Sequence, residues 1–326
     1  MYAGKSILIT GGTGSFGQAF VRSLLEGEYG FERIVVFSRD ELKQHQMSLE
    51  FSTTDYPQLR YFLGDVRDQS RLALAFRDID YVVHAAALKQ VPAAEYNPFE
   101  FVQTNVIGTN NVLMASMWAE VKRVVTLSTD KASAPANLYG ATKLCADRMT
   151  LSYDKLGATS CSVVRYGNVN GSRGSLFPYF TKLAREGKTL PVTDLGMTRF
   201  SINMDHAVSL VFEALGKDWS GGVIVPKLPS YKLETVVQAY SDAYGVDYRI
   251  VGRRPGEKLH EHMISREEGA ECWFDGSNYV ILSSRACNEA NTNAYSHLRR
   301  VEDGFEYSSG SNQEFLSSGD IENLIL

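Results

Sequence analysis

A doubly wound, mostly parallel α/β sheet with a second, smaller α/β region is the fold class that this sequence predicts. Three observations predict it: short apolar runs alternating with amphipathic stretches through the first half, a glycine-rich turn directly after the first run, and the fading of that alternation after about Asn168. Residues 7–10, 34–37, 60–63, 81–84, 124–127 and 161–165 are short, rich in β-branched and aromatic side chains, and read as buried strands. Between them, 16–26, 98–118 and 139–156 carry helical periodicity. Strands alternating with helices imply right-handed crossovers and a parallel sheet covered on both faces, the Rossmann-type arrangement. The organisation expected is a nucleotide-binding domain over 1–167. A region over 168–326, with helices at 176–186, 205–215 and 233–244, is expected to bind substrate and to interleave in part with the first.

With 326 residues, 44% hydrophobic and 22% charged, the chain has the composition of a soluble globular enzyme. A net charge of −5 without any sustained Lys/Arg run argues against a nucleic-acid or anionic-membrane partner and suits small anionic ligands bound in local basic pockets. Cys145, Cys161, Cys272 and Cys287 are far apart, with neither a Cys-x-x-Cys pair nor zinc spacing, so reduced thiols and no metal are expected. No apolar run approaches membrane-spanning length and the first strand pattern starts without a leader, so the expected compartment is the cytoplasm.

Thr10 and Gly11-Gly12-Thr13-Gly14-Ser15-Phe16-Gly17 close the first strand and open the first helix. Glycines at 11, 14 and 17 allow a tight turn and let the backbone approach a pyrophosphate, which then rests on the positive helix N-terminus. The second strand ends in Ser38, Arg39 and Asp40, where NAD enzymes place an acid on the ribose. A hydroxyl and a guanidinium at this point, with Lys43 nearby, suit a 2′-phosphate, which makes NADP the expected cofactor; the competing reading has Asp40 holding the ribose. Asp65 and Val66 suit contacts with adenine, and Ala85, Ala86 and Ala87 supply small side chains where a dinucleotide crosses the sheet edge. His84 reads as a packed strand residue.

Ser128-Thr129-Asp130-Lys131, then Tyr139 and Lys143, bring an acid, an amine and a Tyr-x-x-x-Lys pair into one strand–loop–helix unit. Residues four apart share a helix face, so an ammonium at Lys143 would lie beside the phenol and lower a pKa that is ordinarily about 10. Alcohol oxidation needs only that pair and a hydroxyl such as that of Thr129, which leaves Asp130 and Lys131 as further chemistry. A surface ion pair would be the plain alternative, but the end of a parallel strand is where such sheets bind ligands.

The glycine loop, Tyr139 and Lys143, and the order of elements resemble the extended short-chain dehydrogenase/reductase family of nucleotide-sugar enzymes. Within it, the stretches SRDELKQ, GDVRD, HAAALKQVP, LSTDKA, NLYGATKLC, GSRGS, TDLGMTRF, RPGEKLHE and FEYSSGSN look like the UDP-N-acetylglucosamine 4,6-dehydratases that invert carbon 5, of the type that opens pseudaminic acid biosynthesis. That resemblance implies a tightly held NADP⁺, Tyr139 taking the proton of the carbon 4 hydroxyl, and Lys143 holding the ribose. It further implies Thr129 on the carbon 4 oxygen, Lys131 as base at carbon 5, and Asp130 protonating the departing carbon 6 hydroxyl. Related dTDP-glucose dehydratases carry glutamate where this chain has Lys131. A lysine base must be neutral, so a depressed Lys131 is expected. For UDP-N-acetylglucosamine the likeness implies Lys89, Asn168, Arg173, Thr193, Arg199, Arg254 and Glu257 as substrate contacts, with Tyr307, Ser308, Ser309 and Asn312 closing over the sugar nucleotide. It also implies a homo-oligomer, up to a hexamer, through helices 98–118 and 139–156. A nucleotide-sugar 4-epimerase shares everything but a use for Asp130 and Lys131. A non-catalytic NADP-binding regulator would need none of the four groups.

Overall fold

The computed structural model describes residues 2–154, 156–157, 159–217, 219–282 and 297–325; Cys287 lies outside them. Six strands, β1 (Ser6–Thr10), β2 (Arg33–Ser38), β3 (Leu59–Leu63), β4 (Tyr81–His84), β5 (Arg123–Thr129) and β6 (Ser160–Tyr166), pair in parallel in the order β6-β5-β4-β1-β2-β3. Each matches its expected run to within two residues at either end. Their interiors are apolar on both faces because helices cover both, so the strands lack the polar alternation of a half-exposed sheet. On one face α1 (Ser15–Glu26) packs with the helix Met204–Gly216, where Phe20 and Tyr29 stack on Phe212 at 4.6 and 4.1 Å. On the other lie the helices Gln69–Ala75 and Gly108–Trp118, whose Leu72, Val112 and Leu113 cover Leu8, Val35, Val82 and Val124.

Chain from beyond residue 168 re-enters this sheet. Gly222–Pro226 pairs in parallel with β6, and Asn278–Leu282, Cys272–Phe274 and Arg299–Arg300 extend it in antiparallel fashion to ten strands. The rest of the second half has a core of its own, in which Phe180, Tyr240, Val236 and Ile321 join the helices Leu176–Arg185, Leu233–Tyr244 and Ser318–Ile325. A small sheet of Asn168–Val169, Thr198–Ile202 and Ser230–Lys232 seats this region against the carboxyl ends of the large one.

The expected helix 98–118 is a correction. It is α-helical over Pro98–Phe101, a π-helix over Val102–Ile107 and α-helical again over Gly108–Trp118. The wider turn sets Asn105 against Leu88, whose N–H it accepts at 2.8 Å and whose carbonyl it meets as donor at 2.9 Å. Among the described residues no helix is long and apolar enough to cross a membrane.

Candidate active site

Because β1 to β6 run parallel, their carboxyl ends share one edge, and a cleft of about 830 Å³ lies along it. Gly11, Thr13, Gly14, Ser15, Phe16 and Gly17 line one end. Gly11 has φ +67°, and a Cβ there would lie 2.8 Å from the Ala86 backbone, so no other residue lets the loop sit this close to β4. Gly14, the N-cap of α1, brings no side-chain cap, which leaves the first-turn amides directed at the cleft for an anion. This donor set fits a dinucleotide pyrophosphate.

Ser38, Arg39, Asp40, Lys43, Asp65 and Val66 line the adjoining wall, followed by Ala85, Ala86 and Ala87. Asp40 is already engaged: it caps the helix Glu41–Glu50 by accepting from the Lys43 N–H at 3.0 Å, and it pairs with the Lys43 amine at 2.8 Å. Arg39 stands free of close bonds, 3.8 Å from Asp65, which is gripped more tightly by Arg67 at 2.8 Å. His84 bonds Thr10 and Thr109 through its two nitrogens, and burial followed by the charge of Lys143 lowers its pKa to about 3, which keeps it a neutral packing residue.

At the inner end β5 terminates in Thr129 and the chain makes a 3-10 turn, Asp130–Ala132. Asn137 then caps the helix Leu138–Tyr153 by accepting from Gly140 N–H at 2.9 Å. Gly140 is required by a close approach, since a Cβ there would lie 2.2 Å from the Lys131 carbonyl. The helix therefore sits directly on the turn and brings Tyr139 and Lys143 to it. Thr129, Lys131, Tyr139 and Lys143 line the cleft, while Asp130 lies just beneath, fully buried. Asp130 Oδ1 accepts from Thr129 Oγ1 at 2.9 Å and from Lys131 Nζ at 3.0 Å, and Thr129 stands beside Tyr139.

Two expectations are corrected here. Burial pushes the Tyr139 phenol up to about 12, and the charge that opposes this is that of Lys131, not Lys143. Lys143 instead donates to the Leu127 carbonyl at 2.6 Å, and burial lowers its own pKa against the pull of Asp147. Lys131 is also not depressed: burial would lower it, but Asp130 and then Glu261 at 3.4 Å outweigh burial and hold it as an ammonium.

Behind the turn, Arg165 is buried between Asp147 at 3.3 Å and Glu268 at 2.9 Å. Asp147 accepts from Ser128 at 2.7 Å and Glu268 from Ser133 at 2.7 Å, so this charged frame clamps both flanks of the turn.

Of the expected substrate contacts, Lys89, Asn168 and Arg173 line the cleft. Arg173 lies across the glycine loop, with its backbone N–H on Ser15 Oγ at 3.1 Å and its guanidinium on the Thr13 carbonyl. Burial and then the charge of Arg173 lower the pKa of the Lys89 amine.

The others are not on the cleft wall. Arg199 is turned inward to the carbonyls of Thr198, Leu259 and Lys258 at 2.7 to 3.1 Å, with Glu257 at 3.8 Å. Arg254 is exposed and gives its backbone N–H to Glu257, and Thr193 meets the Met197 sulfur at 3.2 Å. Tyr307, Ser308 and Ser309 are interior residues, not a cover: Tyr307 bonds both backbone groups of Leu228, Ser308 pairs in a strand with His262, and Ser309 bonds Thr198 and Glu261. Asn312 likewise donates to Leu228 and Ser230. Their polar atoms are consumed by backbone groups that burial would otherwise leave unsatisfied. Sequence reasoning missed Glu261, which stands inside the quoted stretch RPGEKLHE but carries no spacing signal toward Lys131.

A family model described as polysaccharide biosynthesis protein matches residues 7–282. The chain belongs to this family. A relative, UDP-N-acetylglucosamine 4,6-dehydratase (inverting) from Campylobacter jejuni subsp. jejuni serotype O:23/36 (strain 81-176), is 44% identical over 335 aligned positions, covering 100% of this chain and 98% of its own. UDP-glucose 4-epimerase from Rickettsia akari (strain Hartford) is 39% identical over 298 positions, 89% of this chain and 86% of that one. Among solved structures, DesIV (dTDP-glucose 4,6-dehydratase) from Streptomyces venezuelae with NAD and TYD bound superposes with a TM-score of 0.72 at 28% identity, covering 78% of this chain and 86% of that one. The likeness read from the motifs thus extends through the whole length of this chain.

Proposed function

We propose that this chain is a UDP-N-acetylglucosamine 4,6-dehydratase that inverts carbon 5 to give UDP-2-acetamido-2,6-dideoxy-beta-L-arabino-hexos-4-ulose, acting in the cytoplasm as the first step of pseudaminic acid biosynthesis. The observation that carries this reading is the ion pair of buried Asp130 with cleft-lining Lys131, 3.0 Å apart, beside Tyr139 at the inner end of the cleft. NADP is the proposed dinucleotide. Ser38, Arg39 and Lys43 would meet its 2′-phosphate, and the commitment of Asp40 to a helix cap weakens the competing role for that acid. When bound, the dinucleotide accepts hydride from carbon 4 and returns it to carbon 6.

The residues divide the proton work. Tyr139 takes the carbon 4 hydroxyl proton as the phenolate, the form that the charge of Lys131 favours against burial, and Thr129 stands between that phenol and Asp130. Once carbon 4 is a ketone, the carbon 5 proton is acidic. A shift of one proton from the Lys131 ammonium to Asp130 converts the resting ion pair into a neutral amine and a carboxylic acid. Those are the two states that removal of the carbon 5 proton and protonation of the carbon 6 hydroxyl require. Lys89 and Arg173, cationic neighbours on the cleft wall, suit the substrate diphosphate. A homo-oligomer belongs to the same proposal, supported by the exposed Phe99, Ile107 and Trp118 on the segment implicated above.

The identity to an epimerase favours a second reading, but an epimerase has no task for an acid and an amine next to carbon 6. The test is proton NMR of the protein with UDP-N-acetylglucosamine in deuterated buffer. A 6-deoxy-4-keto sugar with deuterium at carbon 5 and L-arabino couplings is expected. D-xylo couplings would remove inversion, and a galacto product would favour the epimerase.

A further inference from the structure

Glu261 is a buried carboxylate, 3% exposed, for which the proton inventory above has no role. Its Oε1 lies 3.4 Å from Lys131 Nζ and 3.8 Å from Arg199 Nε, and its Oε2 has no hydrogen-bond partner among the described residues. Its backbone is pinned on both sides by Ser309, whose hydroxyl oxygen accepts from the Glu261 N–H at 2.9 Å and whose own N–H donates to the Glu261 carbonyl at 2.8 Å. A fixed carboxylate with a spare oxygen beside an amine that must exchange protons is costly to bury unless its charge is used.

We propose that Glu261 is a positioning residue for the elimination: it serves as the standing counter-ion of Lys131 and sets the pH above which the pair of Asp130 and Lys131 loses the single proton it shares. The inference rests on the dehydratase reading. In the elimination the bond from carbon 5 to hydrogen breaks, its proton goes to the Lys131 nitrogen, and its electron pair becomes the double bond between carbons 5 and 6. The bond from carbon 6 to oxygen breaks, and the oxygen takes a proton from Asp130 and leaves as water. The pair must therefore hold one proton before the step. Without it Asp130 is a carboxylate and cannot release the hydroxyl.

The groups facing Lys131 are Asp130 on its own turn, Tyr139 on the capped helix, Arg199 and Tyr231 on the small sheet, and Lys258 and Glu261 on the segment after it. Asp130 and Glu261 are the anions in that set. The charge of Asp130 belongs to the shared proton itself, so Glu261 supplies the external field, moderated by Arg199. An opposite charge at such a distance raises the pH of deprotonation by about 1 to 3 units.

The experiment is the pH profile of deuterium incorporation at carbon 5 for the full-length holoenzyme and for Glu261→Gln, with formation of reduced dinucleotide followed by absorbance in the same samples. The alkaline limb of exchange is expected about 1 to 3 units lower in the variant, with reduction of the dinucleotide at neutral pH retained. Glu261→Ala, read in the same way, takes its place if the glutamine chain does not fold. Coincident alkaline limbs in a folded variant and the parent would overturn the counter-ion role while leaving the dehydratase reading intact. A parent that forms no 6-deoxy-4-keto sugar would overturn both.

Discussion

Replacing Arg165 with methionine tests whether the charged frame behind the catalytic turn is structural. Arg165 is 1% exposed, and its two terminal nitrogens reach Asp147 at 3.3 Å, Glu268 at 2.9 Å and the Met263 carbonyl at 3.0 Å. Methionine fills much of the same volume but leaves two buried carboxylates without their cation. Removing one member of a buried pair costs roughly 3–5 kcal/mol. At about 2 °C per kcal/mol for a chain of this size, the melting temperature should fall by roughly 6–10 °C at neutral pH. The sign of the pH dependence follows from the two carboxyls. Burial would raise Glu268, but Arg165 and its hydrogen bonds hold it below its ordinary value, whereas burial wins at Asp147 and raises it. In the parent, the Glu268 contribution is present above the unfolded value of about 4.3 and is lost as pH falls through the lower folded value. In the variant both carboxyls are pushed up by burial, so its penalty is full at neutral pH and disappears as both protonate. The deficit between parent and variant should therefore narrow on acidification toward about pH 4. Calorimetry or circular dichroism melts between neutral and acidic pH measure it. A loss under about 2 °C, or one independent of pH, would refute the reasoning.

Two further outcomes concern the cleft. Asp130→Asn keeps the acceptor for Thr129 but removes the acid, so reduced dinucleotide should accumulate while water loss slows by roughly 10²–10⁴-fold; equal slowing of both steps would place Asp130 elsewhere. Arg39→Ala removes an exposed guanidinium that lies 3.8 Å from Asp65, and titration of the emptied protein should show NADP affinity falling roughly tenfold or more with NAD affinity unchanged. A parallel loss for both dinucleotides would return Arg39 to the surface.

Where the chain's local chemistry is self-sufficient, the sequence was readable. The alternation of apolar runs and amphipathic stretches determined β1 to β6, because buried parallel strands need continuous apolar side chains whatever their neighbours. The glycine loop was legible for a similar reason: Gly11 needs a positive φ and close contact with Ala86, a requirement met by residue type alone. Tyr139 and Lys143, four apart on one helix, and Asp130 beside Lys131 were likewise set by covalent spacing.

Tertiary structure decided what depends on distant partners. Cys272–Phe274 and Arg299–Arg300 are too short to announce a sheet, and only pairing through Asn278–Leu282 and Gly222–Pro226 makes them part of the large one. The wider turn at Val102–Ile107 depends on the peptide of Leu88, and the inward turn of Tyr307 depends on that of Leu228. Protonation was the least legible of all. The state of Lys131 is held by Asp130 next to it together with Glu261, 130 positions along the chain, and that of Tyr139 by burial. Spacing places charges that share a helix or a turn, but the field at a buried group comes from every element that packs around it.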